Sequence, residues 1–191
     1  MSKWRNSIIT YIDLIDIKNI EIEGNIRATD IMRKMHTLVS ENMTNGMLNH
    51  DHCYIWNDSI LLLAYLDQGT DENSIIKEAD QLKRKIDKIC SSYAISVKGQ
   101  TFPDDLISQT TIINEQASSK HRVIKLKTSS YAMGNCYRIE ERLGKRLKKP
   151  WYIDSRIGKK LNTNCKFSKH QVKMLPNDKE RDIYIYDAYL W

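Results

Sequence analysis

Cysteine is sparse and poorly placed for cross-linking. Cys53, Cys90, Cys136 and Cys165 are scattered and form no C-x-x-C pair, which argues against a disulfide framework or a zinc knot and for thiols kept reduced. No hydrophobic run can cross a bilayer as a helix: the longest, 60–66, falls far short of the roughly 20 residues required. The opening Met-Ser-Lys-Trp-Arg-Asn leads into a short apolar segment without a recognisable cleavage region. A cytoplasmic protein without membrane insertion is the expectation. Also missing are a G-x-S-x-G elbow, a P-loop, a glycine-rich dinucleotide fingerprint and an H-E-x-x-H pair, which lowers several common enzyme classes. No internal repeat or low-complexity segment stands out.

What is present is abundant charge of both signs, with 30 Lys and Arg against 24 Asp and Glu, a formal net charge of +6 and an isoelectric point near 9.0. This balance favours anionic partners, but nucleotides, RNA, DNA and acidic membranes satisfy it equally. A chain of 191 residues is long enough to enclose a core without disulfides, and 1–191 reads as one domain with a less regular C-terminal extension at 158–191.

Strands are expected at 7–15 and 53–66, the second apolar enough for burial on both faces. The segment 26–44 places Ile31, Met32, Met35, Leu38 and Val39 on one helical face, and 71–90 repeats Ile75, Ile76, Ala79, Leu82 and Ile86 once per turn. Further strands are read at 93–98, 121–127, 151–157 and 183–186, the last closing a sheet edge or pairing with a partner. A helix is read at 132–146, an acidic Asp104-Asp105 turn follows Pro103, and 158–180 is a polar basic connection. Strands mixed with amphipathic helices predict an α+β or α/β sandwich, a sheet covered by helices.

Asp13 ends the first hydrophobic strand and Asp58 lies within the second. An acid inside such a run needs exposure or a cationic partner. If the strands are neighbours, the two carboxylates converge on one divalent cation; Mg²⁺ and Mn²⁺ prefer oxygen ligands, and a nucleoside triphosphate supplies several more. Asp16 points to the opposite strand face from Asp13 unless the chain bends between them. The competing reading is that these acids terminate strands or pair with basic helices.

Three segments carry a resemblance: Tyr11-Ile12-Asp13-Leu14-Ile15-Asp16-Ile17, Trp56-Asn57-Asp58-Ser59-Ile60 and Gly134-Asn135-Cys136-Tyr137-Arg138-Ile139-Glu140. Together they resemble a divergent class III nucleotide cyclase catalytic domain. The resemblance implies a cyclase-like (ferredoxin-like, palm-type) antiparallel sheet covered by helices. It implies Asp13 and Asp58 as metal ligands for Mg²⁺ or Mn²⁺, Arg138 as the catalytic group against developing phosphate charge, and a homodimer whose subunits bring acidic and basic elements together. The implied activity is conversion of a nucleoside triphosphate to a cyclic nucleotide and pyrophosphate. Tyr54 stands where many purine cyclases place a base-recognising Lys, and Lys18, just past the first acidic strand, is a candidate for terminal phosphates. Gly134 occupies the place of the family's helix Asn, with Asn135 displaced by one.

Other readings stand beside this one. A catalytically silent nucleotide-binding protein of the same fold would keep the site without turnover. A nucleic-acid-binding module would use Arg142, Lys145, Arg146, Lys148 and Lys149, ahead of Trp151 and Tyr152, for backbone charge and base stacking. The same cations also suit a solvated amphipathic helix. His50 and His52 frame Asp51 as turn residues rather than as a zinc site.

Overall fold

The computed structural model describes residues 4–17, 19–20, 25–66, 69–102, 108–114, 119–125, 130–174 and 179–191; for Asn25, Trp56, 108–114 and 119–125 it describes the backbone alone. The fold is built outward from β1 (Arg5–Leu14). Its run of Ile, Thr and Tyr favours extended backbone. Lying between β3 (Ser59–Tyr65) and β4 (Ser92–Thr101), it is buried on both faces: Ile8, Ile12 and Leu14 enter one core, Ile9 and Tyr11 the other. With α1 (Asn25–Thr44), β2 (His52–Trp56) and α2 (Glu72–Asp87), these strands form a βαββαβ unit in the order β2-β3-β1-β4 with every pairing antiparallel. That is the expected ferredoxin-like, palm-type arrangement.

The sheet continues through β7 (Trp151–Asp154), parallel to β4, then β9 (Glu180–Tyr186) and β8 (Phe167–Lys173), giving seven strands in the order β2-β3-β1-β4-β7-β9-β8. β5 (Ser108–Asn114) and β6 (Ser119–Lys125) pair in a separate antiparallel ribbon. Met35 and Val39 of α1 and Ile75, Ile76, Ala79, Leu82 and Ile86 of α2 fill the core on one face. The other face receives Ala132, Cys136 and Ile139 of α3 (Tyr131–Ile139). α2 is capped by Asp71, which accepts from Asn73 and Ser74 N–H, and Asp80 within it accepts from Trp151 Nε1 at 3.0 Å and Leu190 N at 3.1 Å, tying the C-terminal segment to the helix layer.

Four sequence expectations need correction. The strand read at 53–66 is a hairpin, β2–β3, because Asn57 takes φ +48°, in the left-handed region that Asn tolerates, and reverses the chain at Asn57-Asp58. The strand read at 151–157 stops at Asp154, whose carboxylate accepts from Arg156 N–H and opens the short helix α4 (Ser155–Gly158). The helix read at 132–146 loosens into a π turn over Glu140–Gly144 before a last α turn at Lys145–Leu147. The strand read at 183–186 lies inside the sheet, because β8 forms from the stretch read as a connection and covers it. The Asp104-Asp105 turn falls outside the described residues.

Candidate active site

Asp13 sits at the end of β1, in register with Ser59 on one side and Tyr93 on the other. Ser59 Oγ donates to Asp13 Oδ1 at 2.6 Å, and Tyr93 OH donates to Asp13 Oδ2 at 2.8 Å. Because the Ser59 proton is committed to the carboxylate, the 3.0 Å contact between Tyr11 OH and Ser59 Oγ has Tyr11 as donor. Asp13 is thus fixed by a hydroxyl chain anchored in the strand ladder. Asp58 arrives from the hairpin tip, with Oδ1 at 3.5 Å from the same Ser59 Oγ. The two acids are therefore separated by no more than the two legs through one hydroxyl, and both line one pocket of about 480 Å³ with Asp16, Glu140, Lys145 and Lys148.

The hairpin tip is held from both sides. Leu14 N–H donates to the Asp58 carbonyl at 3.1 Å, and His36 Nε2 lies 2.7 Å from the Asn57 carbonyl. A carbonyl only accepts, so the His36 proton is on Nε2.

Burial dominates the electrostatics. It raises the Asp13 carboxyl above its ordinary value against the lowering effect of Ser59 and Tyr93, while Asp58 raises it further. Burial also raises Glu140, with Lys145 opposing at 3.7 Å and Asp13 adding to the rise. Glu140 Oε1 lies 3.2 Å from Tyr93 OH, so one phenol joins the two carboxyl groups. The Tyr93 and Tyr11 phenols are pushed up, first by burial and then by the Asp13 charge, and remain donors.

Among the described residues, no group of three or more His, Cys, Asp or Glu side chains converges as a metal cage. Two carboxylates on one rim nevertheless fit a hard cation whose remaining ligands are water and phosphate oxygens, the manner in which Mg²⁺ is usually held beside nucleotides.

Arg138 stands elsewhere. It lines a groove of about 750 Å³ with Asn135, Lys98, Arg156, Lys160 and Arg181, and this groove shares no lining residue with the acidic pocket. Its cations are largely engaged: Arg156 and Arg181 meet Asp154 at 2.6 and 3.4 Å, and Lys98 and Lys160 meet Glu72 at 2.7 and 2.9 Å. Arg138 makes no ion pair or hydrogen bond among the described residues. Five cations facing two acids leave the groove positive. Asn135, one residue off the family position, is buried in its wall. A Cβ on Gly134 would meet nothing within 4 Å, whereas one on Gly99 would meet the Ala132 backbone at 2.8 and 2.9 Å; Gly99 is what lets α3 lie so close to β4.

Tyr54 lies on the Asp13 face of the sheet, half-buried, with burial pushing its phenol up to about 12. It does not line the acidic pocket. Lys18 falls outside the described residues. Asp16 sits where the chain bends after β1, at φ +61°, and the bend brings it into the pocket beside Asp13, contrary to an unbroken strand. The basic run is mostly engaged within the chain: Arg142 donates to the Lys173 carbonyl, Lys145 meets Glu140, Lys148 meets Asp16, and Lys149 meets Asp187 at 2.7 Å. His50 is buried beside Glu78, while His52 is exposed against the Tyr54 and Tyr65 rings.

Sequence reasoning missed Tyr11, Ser59, Tyr93 and Glu140 as parts of the site. Ser59 was adjacent to a chosen Asp, and Glu140 continues the buried helical face of Ala132, Asn135, Cys136 and Ile139 at ordinary spacing, so both had a signal in the sequence, whereas the Asp13–Tyr93 pairing depends on strand register.

A βαββαβ sheet extended by further strands and bearing helices on its faces is the class III cyclase-like fold, and this chain carries a divergent form of it. At the level of sequence, no family model and no curated protein matches. Solved structures do. A bacterial light-regulated adenylyl cyclase superposes with TM-score 0.63 at 8% identity, covering 98% of this chain and 93% of that one. The guanylyl cyclase Cya2 gives 0.65 at 12% identity over 97% and 93%, and the adenylyl cyclase CyaB from P. aeruginosa 0.60 at 7% over 97% and 95%. Among the described residues, no helix is long and apolar enough to cross a membrane.

Proposed function

We propose that the chain is a nucleotidyl cyclase that converts a nucleoside triphosphate to a 3′,5′-cyclic nucleotide and pyrophosphate, acting as a homodimer with Mg²⁺ or Mn²⁺. The observation that carries this reading is a division of labour on a cyclase-like fold: two carboxylates one hydroxyl apart in one pocket, and, in a separate positive groove, a guanidinium that makes no ion pair or hydrogen bond among the described residues. A homodimer that faces the acidic pocket of one copy with the groove of the other would assemble two complete sites.

In such a site Asp13 and Asp58 would hold the cation, which would supply the positive charge that lowers the proton affinity of the ribose 3′-oxygen and neutralises phosphate charge. Ser59 and Tyr93 keep Asp13 aimed at it. The 3′-oxygen bonds to the α-phosphorus, its proton passing to solvent, as the bond to pyrophosphate breaks, and Arg138 from the second copy offsets the charge that spreads over the phosphoryl oxygens. By the resemblance in sequence, Tyr54 is the candidate for base contact by stacking or hydrogen bonding, and Lys18 for the terminal phosphates.

The test is turnover of ATP, GTP, CTP and UTP with Mg²⁺ or Mn²⁺, resolving products by mass spectrometry. The expected result is cyclic nucleotide and pyrophosphate in equal amounts, reduced by about 100-fold or more in Asp58→Ala, the loss expected when a cation's charge stabilisation is removed. Nucleotide binding without pyrophosphate release from folded protein would refute turnover and leave the silent-binder reading.

A further inference from the structure

We infer that Lys148 is a binding residue for the phosphate chain of the nucleotide, held on Asp16 until that chain displaces the carboxylate. The inference rests on the proposed nucleotide reading and adds to it a cation on the acidic side of the site.

Three non-glycine residues among the described ones take positive φ: Asp16 at +61°, Asn57 at +48° and Lys148 at +47°. All three gather at one place. Asp16 and Lys148 line the acidic pocket, and Asn57 is the hairpin residue before Asp58. Asn and Asp enter that region readily, so the backbone cost falls on Lys148 alone, beside the two turns that set Asp16 and Asp58, which marks Lys148 as a side chain being aimed.

Lys148 ends the helical segment: its N–H donates to the Gly144 carbonyl at 3.0 Å, and its φ and ψ of +47° and +39° are those of a left-handed helix stop. Gly or Asn ordinarily takes that position, because any Cβ is disfavoured there. What the side chain does instead is enter the pocket, where its ammonium meets Asp16. That pair is about half exposed on both sides, at 48% and 51%, so water and salt screen it and it contributes little to the fold. A weak pair in a strained frame serves poorly as a structural tie. It serves well as a placeholder.

The charge arrangement identifies the ligand class. Among the described residues that line the pocket, the four acids Asp13, Asp16, Asp58 and Glu140 face two cations, Lys145 and Lys148, so these groups together repel a bare anion. A polyphosphate arriving with a divalent cation reverses this: the cation answers Asp13 and Asp58, and the outer phosphate oxygens, with more charge than one carboxylate, take the ammonium from Asp16. Lys supplies a compact point charge on a flexible stem, suited to such an exchange of partners.

The test uses the full chain and inorganic tripolyphosphate with Mg²⁺, titrated calorimetrically, so that the identity of the base plays no part. Lys148→Met and Lys148→Gly are expected to weaken binding by about tenfold, the loss of one charged hydrogen bond, with Lys148→Arg within about threefold of wild type. Lys148→Gly should melt about 2–4 °C above Lys148→Met, since only glycine relieves the left-handed backbone. Wild-type binding by Lys148→Met, a loss in Lys148→Gly alone, or no tripolyphosphate binding by wild type would each overturn the inference. Binding that depends on Lys148 without any cyclic product would uphold it while turnover fails; binding untouched by Asp58→Ala would place the phosphate chain outside this pocket and sink it along with the cation site.

Discussion

Replacing Asp13 by Asn should stabilise the metal-free protein while abolishing its response to divalent cations. Asn can keep both contacts, accepting from one hydroxyl through its carbonyl and donating to the other, because Ser59 and Tyr93 each carry an acceptor oxygen. Losing the charge weakens each of those two bonds by about 1 kcal/mol. Against this, the substitution removes repulsion from Asp58, whose near oxygen lies no farther than the 2.6 and 3.5 Å legs through Ser59 Oγ allow, worth about 3 kcal/mol and less for partial exposure, and the cost of holding a buried anion. The raised carboxyl pKa decides the sign: the folded site accommodates the neutral form better than water does. A net gain of about 1–2 kcal/mol corresponds to about 2–8 °C in a chain of this length. The assay is thermal unfolding in EDTA at neutral pH, repeated with excess Mg²⁺ or Mn²⁺. Wild type should gain about 2.7 kcal/mol at a hundred times the dissociation constant, and Asp13→Asn should gain almost nothing. The pH dependence follows from the same sign. A carboxyl raised in the folded state contributes stability fully below its unfolded pKa and loses it as pH rises through the folded value. Metal-free wild type should therefore grow more stable on acidification from neutrality toward the ordinary carboxylate range, apart from titrations elsewhere, and Asp13→Asn should lack Asp13's share of that gain. A lower melting temperature for Asp13→Asn in EDTA, or an undiminished gain from Mn²⁺, would refute the reasoning.

Mixing Asp58→Ala with Arg138→Ala subunits should restore turnover to about a quarter of wild type, because half of randomly reassorted dimers are mixed and each mixed dimer keeps one intact site; no recovery after verified exchange would argue against a shared site. Gly99→Ala should cost about 1–3 kcal/mol by denaturant unfolding, since its Cβ meets the Ala132 backbone and pushes α3, the carrier of Arg138 and Glu140, off the sheet.

Much of the architecture was legible because burial imposes pattern. The two-sided apolar run of β1 and the once-per-turn Ile and Leu positions of α2 announced a central strand and a covering helix. The β2–β3 hairpin was not legible from hydropathy, because apolar residues flank Asn57-Asp58 on both sides and the reversal depends on the backbone of one Asn. β8 was missed for the opposite reason: as an exposed edge strand carrying Lys169, His170 and Lys173, it has almost no apolar alternation. In the site, the two acids and the Arg were readable as chemistry, yet the hydroxyls that aim Asp13 come from residues 46 and 80 positions away, and only strand register brings them there.

The clamp on the hairpin tip gives the acidic pair an unequal footing. Asp13 belongs to the sheet, fixed by the ladder on both flanks, whereas the tip carrying Asp58 is gripped at successive carbonyls by the sheet, through Leu14, and by α1, through His36. Because the two grips fall on adjacent carbonyls, a shift of α1 relative to the sheet would turn the peptide between them and with it the Asp58 carboxylate. The seating of the outer helix thus bears on the spacing of the carboxylate pair, and a substitution at His36, outside the pocket, would reach Asp58 through the Asn57 carbonyl.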